Sequence, residues 1–233
     1  MINQFSRTEL LIGEKGIKTL KNSKVAVFGI GGVGSFAVEA LARAGVGHLV
    51  IIDYDKFDIT NINRQIGALH STIGKYKINV MEERILDINP NIEVEKYFPN
   101  DIEGGEQNII TEDLSYVVDA IDTIPNKLNI IEKCNKENVR IITMAGAANK
   151  IDPTMFEVAD IYKTSVCPVC KILRKELKER NIINLKVVYS KEPSIKIKNT
   201  NNNALGSISF VPSVAGLIIA GEVIKDLIGE EIK

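Results

Sequence analysis

The sequence is poor in the residues that build disulfide frameworks, metal clusters and membrane spans. It has no tryptophan, two histidines and three cysteines, of which only Cys167 and Cys170 are close together. This odd, sparse set does not make a disulfide framework and is compatible with a reducing compartment. The longest apolar run, VAGLIIAG, is far shorter than the ~20 residues that cross a bilayer. The charged first residues lack the apolar segment of a signal peptide, so we expect a cytoplasmic protein with no membrane association.

What remains is the composition of an ordinary globular chain. Its 233 residues are 45% hydrophobic and 25% charged, with no low-complexity tract and no repeat of solenoid period. This length suits one α/β domain that buries roughly 70% or more of the surface of its unfolded chain. We therefore expect residues 1–233 to form a single domain.

Positive charge is concentrated late in the chain, although the formal net charge is only -1. From Lys171 to Lys198 there are nine lysines and arginines against three glutamates. Such a local excess can mark an anionic partner. The segment KILRKELKER is equally compatible with a solvated amphipathic helix that carries ordinary i,i+4 pairs. The charge pattern alone leaves both interpretations open.

The hydrophobic pattern alternates between short strands and helices. KVAVFG, SFAVEALARAG and HLVIID predict a βαβ unit, which implies a parallel sheet with a right-handed crossover. Further strands are predicted at IEVEKYF, SYVVDAID, VRIITMAGA, PTMFEVADI and LKVVYS. Further helices are predicted at KINVMEERILDI, PNKLNIIEKCNKEN, KILRKELKER and SVAGLIIAGEVIKDLIGEEI. We expect the charged, asparagine-rich KEPSIKIKNTNNNALGS to be a mobile loop.

A glycine-rich turn follows the first predicted strand. In VFGIGGVGSF, Gly29, Gly31 and Gly34 fit the G-x-G-x-x-G spacing, and Gly32 is an additional glycine. The first glycine of such a turn allows a tight bend, the second lets a phosphate approach the backbone, and the third permits close packing of the helix. Asp53 lies at the distance along the chain where an acid holds ribose hydroxyls. These features fit NAD and ATP equally well.

Charged and amide residues beyond the glycine turn favour ATP over NAD. A triphosphate needs cations and a carboxylate for Mg²⁺, whereas NAD needs an apolar nicotinamide pocket. The polar stretch after the second strand and the end of the strand SYVVDAID supply suitable side chains, namely Asn63, Arg64, Gln65, Lys75, Lys77 and Asp122. Taken singly, Arg64 and Lys77 could be solvated surface charges, and Asp122 could cap the following helix. Their joint position at the ends of successive strands favours a nucleotide site.

The order and spacing of these motifs resemble a known group of enzymes. VFGIGGVGS, EALARAG, IIDYDKFDITNINRQ, GKYK, ERILDINP and VVDAID, in that order, are similar to the ubiquitin-activating-enzyme superfamily of adenylyltransferases. Within it, GGVGSFAVEALARAGVG, NINRQIGAL, DPTMFEVADIYKT and VVYSKE resemble the tRNA threonylcarbamoyladenosine dehydratases. The resemblance implies a Rossmann-like ATP-binding part over residues 1–150. It also implies a substrate-binding and dimerisation part over 151–233, with antiparallel strands and a terminal helix.

The resemblance also implies roles for individual residues. Asp53, with Asp55 beside it, would bind the ATP ribose, Arg64 and Lys77 would contact the triphosphate, and Asp122 would act on Mg²⁺. The phosphates would lie against the glycine turn at Gly29, Gly31, Gly32 and Gly34, with Asn63 and Gln65 supporting the neighbouring loop. Arg64, Lys77 and Asp122 are then the expected catalytic residues. Arg7 would reach the ATP of a second subunit, which implies a homodimer.

The implied reaction is ATP-dependent cyclisation of N6-threonylcarbamoyladenosine in tRNA through adenylation of its carboxylate. A substrate carboxylate is already ionised at neutral pH and needs no strong base, so positioning and cations carry most of the catalysis. The implied cofactors are ATP and Mg²⁺, and the resemblance leaves a monovalent cation open as a further cofactor. Besides tRNA and a second subunit, the resemblance leaves a sulfur-relay protein as a candidate partner.

The alternative is an adenylyltransferase that activates a small sulfur-carrier protein for thiamine or molybdopterin synthesis. Those enzymes hold zinc with two CxxC pairs, whereas this chain has one pair, CPVC, and two histidines, His48 and His70. Since structural zinc takes four ligands, the sequence does not favour a zinc site. Cys134 lies at apolar spacing in a helix and is expected in the core. A nucleotide sensor without catalysis and an NAD oxidoreductase are further alternatives.

Overall fold

In a computed structural model, the chain is described over residues 2–99, 103–196 and 205–229. These residues form a seven-stranded sheet. Its strands are β1 (Lys24–Phe28), β2 (His48–Ile52), β3 (Glu93–Tyr97), β4 (Tyr116–Asp119), β5 (Ile141–Met144), β6 (Phe156–Asp160) and β7 (Lys186–Ser190). The strands lie in the order β3-β2-β1-β4-β5-β7-β6. Neighbouring strands are parallel except β6, which runs antiparallel to β7.

This strand order determines where a ligand can bind. The chain builds the sheet outward from β1 through β2 to β3, then returns to the other side of β1 with β4. The loops that follow β1 and β4 therefore leave the sheet in opposite directions and open a crevice at the carboxyl ends of the two strands. The predicted α/β fold, with a mainly parallel sheet and an antiparallel pair near the C-terminus, is confirmed.

Helices cover both faces of the sheet. They are α1 (Ser6–Lys21), α2 (Gly34–Ala44), α3 (Lys77–Ile88), α4 (Ile124–Glu137), α5 (Pro168–Glu179) and α6 (Phe210–Ile228). Successive residues of β1 point to opposite layers, as the period of a strand requires. Val25 and Val27 belong to a core cluster that includes residues of α1, α2, α3 and α6. Ala26 and Phe28 belong to a cluster that includes Cys134 of α4, which is fully buried.

The C-terminal helix α6 packs directly on the helix that follows the glycine turn. A side chain on Gly216 would overlap the carbonyl oxygen of Val33, so this glycine permits the close approach of α6 to α2. Val211, Ala215 and Ile219 of α6 are fully buried in the same core cluster. This contact places α6, from the C-terminal part of the chain, beside the glycine turn, which belongs to the N-terminal part.

The predicted elements agree closely with the structure. All of the predicted strands form, and the helix predicted at KINVMEERILDI is α3 from Lys77 to Ile88. The terminal helix begins earlier than predicted, at Phe210. Most of the asparagine-rich segment expected to be a mobile loop, residues 197–204, lies outside the described residues. None of the helices in the described ranges combines the length and the apolar character of a membrane span.

Candidate active site

A cavity of about 520 Å³ opens at the carboxyl ends of the central strands, in the crevice that the strand order predicts. It collects most of the residues proposed from the sequence, namely Gly29, Gly31, Gly32, Asp53, Asp55, Arg64, Gln65, Lys77 and Asp122. Gly34, Asn63, Lys75 and Arg7 are not among the residues that line it. Residues scattered over nearly a hundred positions of sequence therefore share one cavity.

The glycine turn is tight at two positions and open at a third. Gly29 has a φ of +85°, and a side chain there would lie 2.8 Å from the carbonyl oxygen of Ala120. A side chain on Gly34 would overlap the carbonyl oxygen of Gly29. At Gly31 the nearest atom would be Nε2 of Gln65, 4.0 Å away. The turn thus leaves its backbone free at Gly31, at the N-terminus of α2, where an anion is favoured.

Gly32, the glycine beyond the standard pattern, has a packing role. A side chain there would lie 3.1 Å from Cβ of Pro212 and 3.3 Å from Cγ of Arg64. Gly32 therefore sits between the polar loop after β2 and the first turn of α6. The extra glycine lets these two segments close on the cavity together.

Asp53 joins the end of β2 to the glycine turn. Its Oδ2 accepts a hydrogen bond from the Ile30 N–H at 2.7 Å, and its Oδ1 accepts one from the Asp55 N–H at 2.8 Å. Burial raises the pKa of Asp53 above its usual range, although Lys77 and both backbone donors act in the opposite direction. A carboxylate has more acceptor sites than these two bonds use. Asp53 therefore keeps acceptor capacity toward the cavity that it lines.

Lys77 is a buried cation held by two carboxylates. It is the first residue of α3, and its Nζ lies 2.7 Å from Oδ2 of Asp55 and 3.7 Å from Oδ2 of Asp53. The side chain of Lys77 is 6% exposed, whereas that of Asp55 is 49% exposed. Asp55 therefore faces solvent while Lys77 lies below it. This geometry fixes a positive charge at one wall of the cavity.

Arg64 is positioned by its own loop. Its Nη1 donates to the carbonyl oxygen of Thr60 at 2.9 Å and to Oδ1 of Asn63 at 3.0 Å. Since a guanidinium has five donor hydrogens, several remain for a ligand in the cavity. Asn63 in turn donates through Nδ2 to the carbonyl oxygen of Ser207 at 3.0 Å. Asn63 thus fixes Arg64 and also binds the segment that precedes α6.

Gln65 has an unsatisfied buried oxygen. The residue is 6% exposed, and within the described ranges its Oε1 has no hydrogen-bond partner. Because buried polar atoms are nearly always paired, this oxygen calls for a donor that the protein itself does not supply. Gln65 lines the cavity, but this oxygen is itself enclosed by protein and does not identify a ligand contact.

Asp122 follows β4 and is exposed to the cavity. No hydrogen bond or ion pair of its side chain occurs within the part of the chain that the structure describes. The alternative that Asp122 caps the following helix is wrong, because the N-cap of α4 is Thr123. Asp122 is therefore a carboxylate at the cavity without a structural task there.

The pattern analysis did not single out the buried pair beneath Asp122. Lys127 of α4 donates to Oδ2 of Asp119 at 2.8 Å, and the two residues are 1% and 0% exposed. Asp119 also accepts from the Ile121 N–H at 3.2 Å, which fixes the turn leading to Asp122. A signal existed, because Lys127 shares the apolar spacing of Ile131 and Cys134 on one helix face.

The C-terminal part of the chain also lines the cavity. Leu205, Gly206, Ser207 and Pro212 line it together with the glycine turn. Asn149 fixes this segment, since its backbone N–H donates to the Gly206 carbonyl oxygen at 2.8 Å and its Oδ1 accepts from the Gly206 N–H at 2.7 Å. The nucleotide-binding part and the C-terminal part thus share one cavity.

Two predicted features lie away from the cavity. Arg7 is exposed on α1 and does not line the cavity of its own chain. Cys167 and Cys170 are free and buried, and within the described ranges no group of three or more His, Cys, Asp and Glu residues is arranged to hold a metal ion.

Similarity to known proteins agrees with this site. Residues 5–233 match the ThiF family. A tRNA threonylcarbamoyladenosine dehydratase of Bacillus subtilis is 45% identical over 249 residues, which cover 100% of this chain and 98% of the relative. The crystal structure of Escherichia coli tRNA N6-threonylcarbamoyladenosine dehydratase, TcdA, in complex with ATP superposes with a TM-score of 0.83. That match has 33% identity and covers 96% of this chain and 93% of TcdA.

A more distant relative has a different activity in its name. The adenylyltransferase and sulfurtransferase MOCS3 of Culex quinquefasciatus is 34% identical over 135 residues, which cover 57% of this chain and 31% of that protein. The similarity to the dehydratases extends over the whole chain, including the C-terminal part that closes the cavity. The chain therefore belongs to the ThiF family and, within it, to the tRNA threonylcarbamoyladenosine dehydratases.

Proposed function

We propose that this protein catalyses the ATP-dependent dehydration of N6-threonylcarbamoyladenosine in tRNA, closing the threonylcarbamoyl side chain into a ring. The observation that carries the proposal is the cavity in which Arg64, Lys77 and the carboxylates of Asp53 and Asp122 meet, in a chain similar over its full length to dehydratases. A cavity of about 520 Å³ lies within the range of small-molecule sites.

The cavity supplies groups for the phosphates, the ribose and the metal ion of an ATP complex. The open backbone at Gly31 offers room for phosphates. Asp53 retains acceptor sites for ribose hydroxyls. Arg64 and Lys77 supply positive charge for the β- and γ-phosphates. The exposed carboxylate of Asp122 suits Mg²⁺, which binds through one or two carboxylates and the phosphates of its substrate.

The residues then promote two steps. In the first, the substrate carboxylate attacks the α-phosphorus, and the bond to the leaving pyrophosphate breaks while Arg64 and Lys77 stabilise its charge. In the second, a nucleophilic atom of the same threonylcarbamoyl side chain attacks the activated carboxyl carbon, AMP leaves and the ring closes. The net change is loss of one water from the nucleoside, coupled to conversion of ATP to AMP and pyrophosphate. No cysteine nucleophile is required.

The basic face of α5 supports a tRNA substrate. Lys171, Lys175 and Lys178 are exposed on this helix, whereas Arg180 is neutralised by Glu132 and Glu176. The start of α5 lies against the segment that leads to the cavity, because a side chain on Gly146 would lie 3.6 Å from Cγ2 of Val169, and Ala147 and Ala148 line the cavity. We assign Lys171 and Lys178 to phosphate contacts with the tRNA.

This surface has a direct test. Replacing Lys171 and Lys178 by alanine should weaken tRNA binding and lower the slope of log affinity against log salt by about one per lost contact. ATP–pyrophosphate exchange with the isolated modified nucleoside should be unchanged. The Arg180→Ala variant is the matched control and should bind tRNA as the unaltered protein does. An unchanged salt slope in the lysine variant would exclude this face from the tRNA interface.

A homodimer, with Arg7 acting at the partner's cavity, is the proposed assembly. The first turns of α1 expose Leu10 and Leu11, which are 82% and 79% exposed, on the same helix as Arg7. Exposed apolar side chains of this kind are typical of an interface. Mixing an Arg7→Ala variant with a Lys77→Ala variant should restore part of the lost activity, since the mixed dimer contains one intact cavity. Failure to restore any activity in dimers shown to exchange subunits would contradict a role of Arg7 in trans.

The proposed reaction is tested by mass spectrometry of tRNA nucleosides. A strain lacking the gene should accumulate N6-threonylcarbamoyladenosine without its cyclic form, and the unaltered gene should restore the cyclic form. A gene carrying Asp122→Ala should not. Loss of one water from modified tRNA, with release of AMP and pyrophosphate by purified protein, would establish the activity directly. A strain that lacks the gene but retains the cyclic nucleoside would refute the proposal.

The same experiments separate the alternative activity. Activation of a sulfur-carrier protein predicts pyrophosphate exchange that depends on a carrier ending in Gly-Gly and does not depend on tRNA. The relative that carries such a name, MOCS3, aligns with 57% of this chain, and CPVC is the single CxxC pair in the sequence. These observations favour the dehydratase reaction.

A further inference from the structure

The CPVC motif has no task in the proposed reaction, yet the structure places it in a distinctive setting. Cys167 is the N-cap residue of α5, and Cys170 lies in the first turn of the same helix. Both belong to a core cluster that also contains Leu173 and Leu177. Cys167 is 4% exposed and Cys170 is 0% exposed. Cys167 is therefore the less fully covered of the two cysteines.

The surroundings stabilise Cys167 as a thiolate. The groups at the start of α5, the Cys170 thiol first and then the backbone N–H groups of Cys170 and Val169, favour the charged form of Cys167 and outweigh its burial, and the Lys150 cation adds attraction. Together these interactions lower the pKa of Cys167 to about 6. The hydrogen bond that Cys170 donates, together with its burial, raises the pKa of Cys170. The surroundings thus favour the thiolate form of Cys167 and the protonated form of Cys170.

Lys150 is itself fixed beside this pair. It is 6% exposed, and its Nζ donates to the carbonyl oxygen of Glu192. Because a neutral carbonyl does not cancel the ammonium charge, Lys150 remains available to a neighbouring anion. A low-pKa cysteine beside a cation at a helix N-terminus is the arrangement of reactive thiols, whereas a structural buried cysteine is inert and has a raised pKa.

Cys167 lies beneath an exposed segment of the chain. Ser165, Val166 and Pro168 around it are exposed, so Cys167 lies directly under the surface while Cys170 is covered. Val166 has a φ of +64°, a rare conformation for a β-branched residue. An outer ionised thiol and an inner protonated thiol in one helical turn form an attacking and a resolving pair.

We propose that Cys167 and Cys170 form a redox-active dithiol that exchanges with low-molecular-weight disulfides, such as oxidised glutathione, and closes to an intramolecular disulfide. This site is separate from adenylation, because neither sulfur lines the ATP cavity.

The exchange balances without any further reactant. The Cys167 thiolate attacks one sulfur of the disulfide, a Cys167 mixed disulfide forms, and the first small thiolate leaves. Cys170 then gives up its proton and attacks the Cys167 sulfur, which expels the second small thiol. Two cysteine thiols and one small disulfide thus become one protein disulfide and two small thiols. Reduced glutathione reverses both steps.

Thiol mapping of the full-length protein in glutathione redox buffers tests this proposal. On oxidation, the unaltered protein should lose two hydrogens, with Cys167 and Cys170 linked and Cys134 still reduced. The Cys170→Ser variant should trap one glutathione on Cys167. The Cys167→Ser variant should trap none on Cys170, and the Cys134→Ser variant should behave as the unaltered protein does. In the unaltered protein, the alkylation rate of Cys167 should be half-maximal near pH 6.

Three results would overturn the proposal. The first is a protein that keeps all three thiols free in buffers oxidising enough to link a reference dithiol. The second is equal trapping of glutathione by Cys167→Ser and Cys170→Ser, which would show that neither sulfur has a distinct role. The third is purified protein that contains stoichiometric zinc lost in both variants. All three readouts concern thiols or metal and do not depend on tRNA modification, so the two proposals fail separately.

Discussion

Two lysine–aspartate pairs lie at the carboxyl ends of β2 and β4 and have different tasks. Lys127 and Asp119 are closed off from solvent at a distance of 2.8 Å. Lys77 lies 2.7 Å from Asp55, whose side chain is 49% exposed. Each lysine lies in the first turn of a helix that follows a parallel strand. The chemistry is the same in both pairs, and the difference is access to the cavity.

Access determines what each pair can do. Lys127 has no opening to a ligand and serves to compensate Asp119, whose pKa burial raises even though the lysine counteracts this. Lys77 lines the cavity and can exchange its carboxylate partner for a phosphate, because Asp55 can be solvated in its place. We therefore expect a lysine–aspartate pair to be structural when both residues are sealed and available to a ligand when one of them lines the cavity.

The largest effect on stability is expected for Lys127→Met. Removing this lysine leaves Asp119 buried without a counter-charge, which should lower the free energy of unfolding by about 3–5 kcal/mol. Urea unfolding followed by circular dichroism measures the change. The control is the double variant Asp119→Asn with Lys127→Met, which should recover at least half of the loss because no charge remains buried. A loss below about 1 kcal/mol in the single variant, the size typical of an exposed pair, would abolish the distinction between the pairs.

Lys77→Met should affect activity more than stability. Loss of the cation that faces the leaving pyrophosphate should reduce turnover by roughly 10²–10³-fold, whereas the free energy of unfolding should fall by no more than about 2 kcal/mol. ATP–pyrophosphate exchange and urea unfolding measure the two quantities on one preparation. Lys75→Met, two residues away, is the matched control and should retain turnover. Equal turnover in the two variants would remove Lys77 from the reaction.

A third ion pair, away from the cavity, gives a reference for pH dependence. Glu39 of α2 is held by Arg84 at 2.6 Å and Arg43 at 2.7 Å. Burial raises the pKa of Glu39, but the hydrogen bonds and charges of both arginines outweigh burial, and the pKa is lowered. The ionised form therefore stabilises the fold above the pKa of the unfolded chain, and this stability is lost as pH falls through the folded pKa.

Glu39→Gln should consequently destabilise the protein by about 2 kcal/mol at neutral pH and progressively less in acid. Unfolding curves of both proteins across the acid range give the difference. Turnover at neutral pH should be unaffected, which separates this pair from Lys77. A difference that stays constant down to the acid limit would mean that the charge of Glu39 contributes nothing.

The smallest effect is expected for Asp55→Asn. Because Asp55 is half exposed, its pair should contribute no more than about 1 kcal/mol to stability, whereas Asp119→Asn should cost several times as much. Measured side by side by urea unfolding, these two substitutions remove the same charge from a lysine and differ only in burial. Equal losses would show that exposure does not distinguish the pairs.

Much of the site could be predicted from the sequence because it lies at the ends of strands. Apolar runs that stop at Gly29, Asp53 and Asp119 predict strand ends, and a parallel sheet brings such ends to one edge. The cations Arg64 and Lys77 come shortly after Asp53 along the chain, so their positions in the sequence were enough to assign them to the same site. Cys134 was expected in the core and is fully buried.

Other features depend on contacts that are distant in sequence. The hydrogen bond from Asn63 to Ser207 spans 144 positions, and the placement of Pro212 beside Gly32 depends on how α6 packs against α2. The apolar helix position of Lys127 hints that this lysine pairs with a buried acid such as Asp119. How deeply the pair is buried depends on the helices and strands that pack around it. The fuller burial of Cys170 compared with Cys167 likewise follows from the way α5 packs.

The sequence by itself determined the alternation of strands and helices, the glycine turn and the set of charged residues at the strand ends. These follow from backbone preferences and from hydrophobic periodicity, which act over a few residues. Only the tertiary structure decided which lysine lines the cavity and which is sealed, that the side-chain oxygen of Gln65 lacks a partner among the described residues, and which thiol is less fully covered. Burial is the physical reason, because the pKa of a charged group or thiol, and its access to a ligand, depend on the elements that cover it.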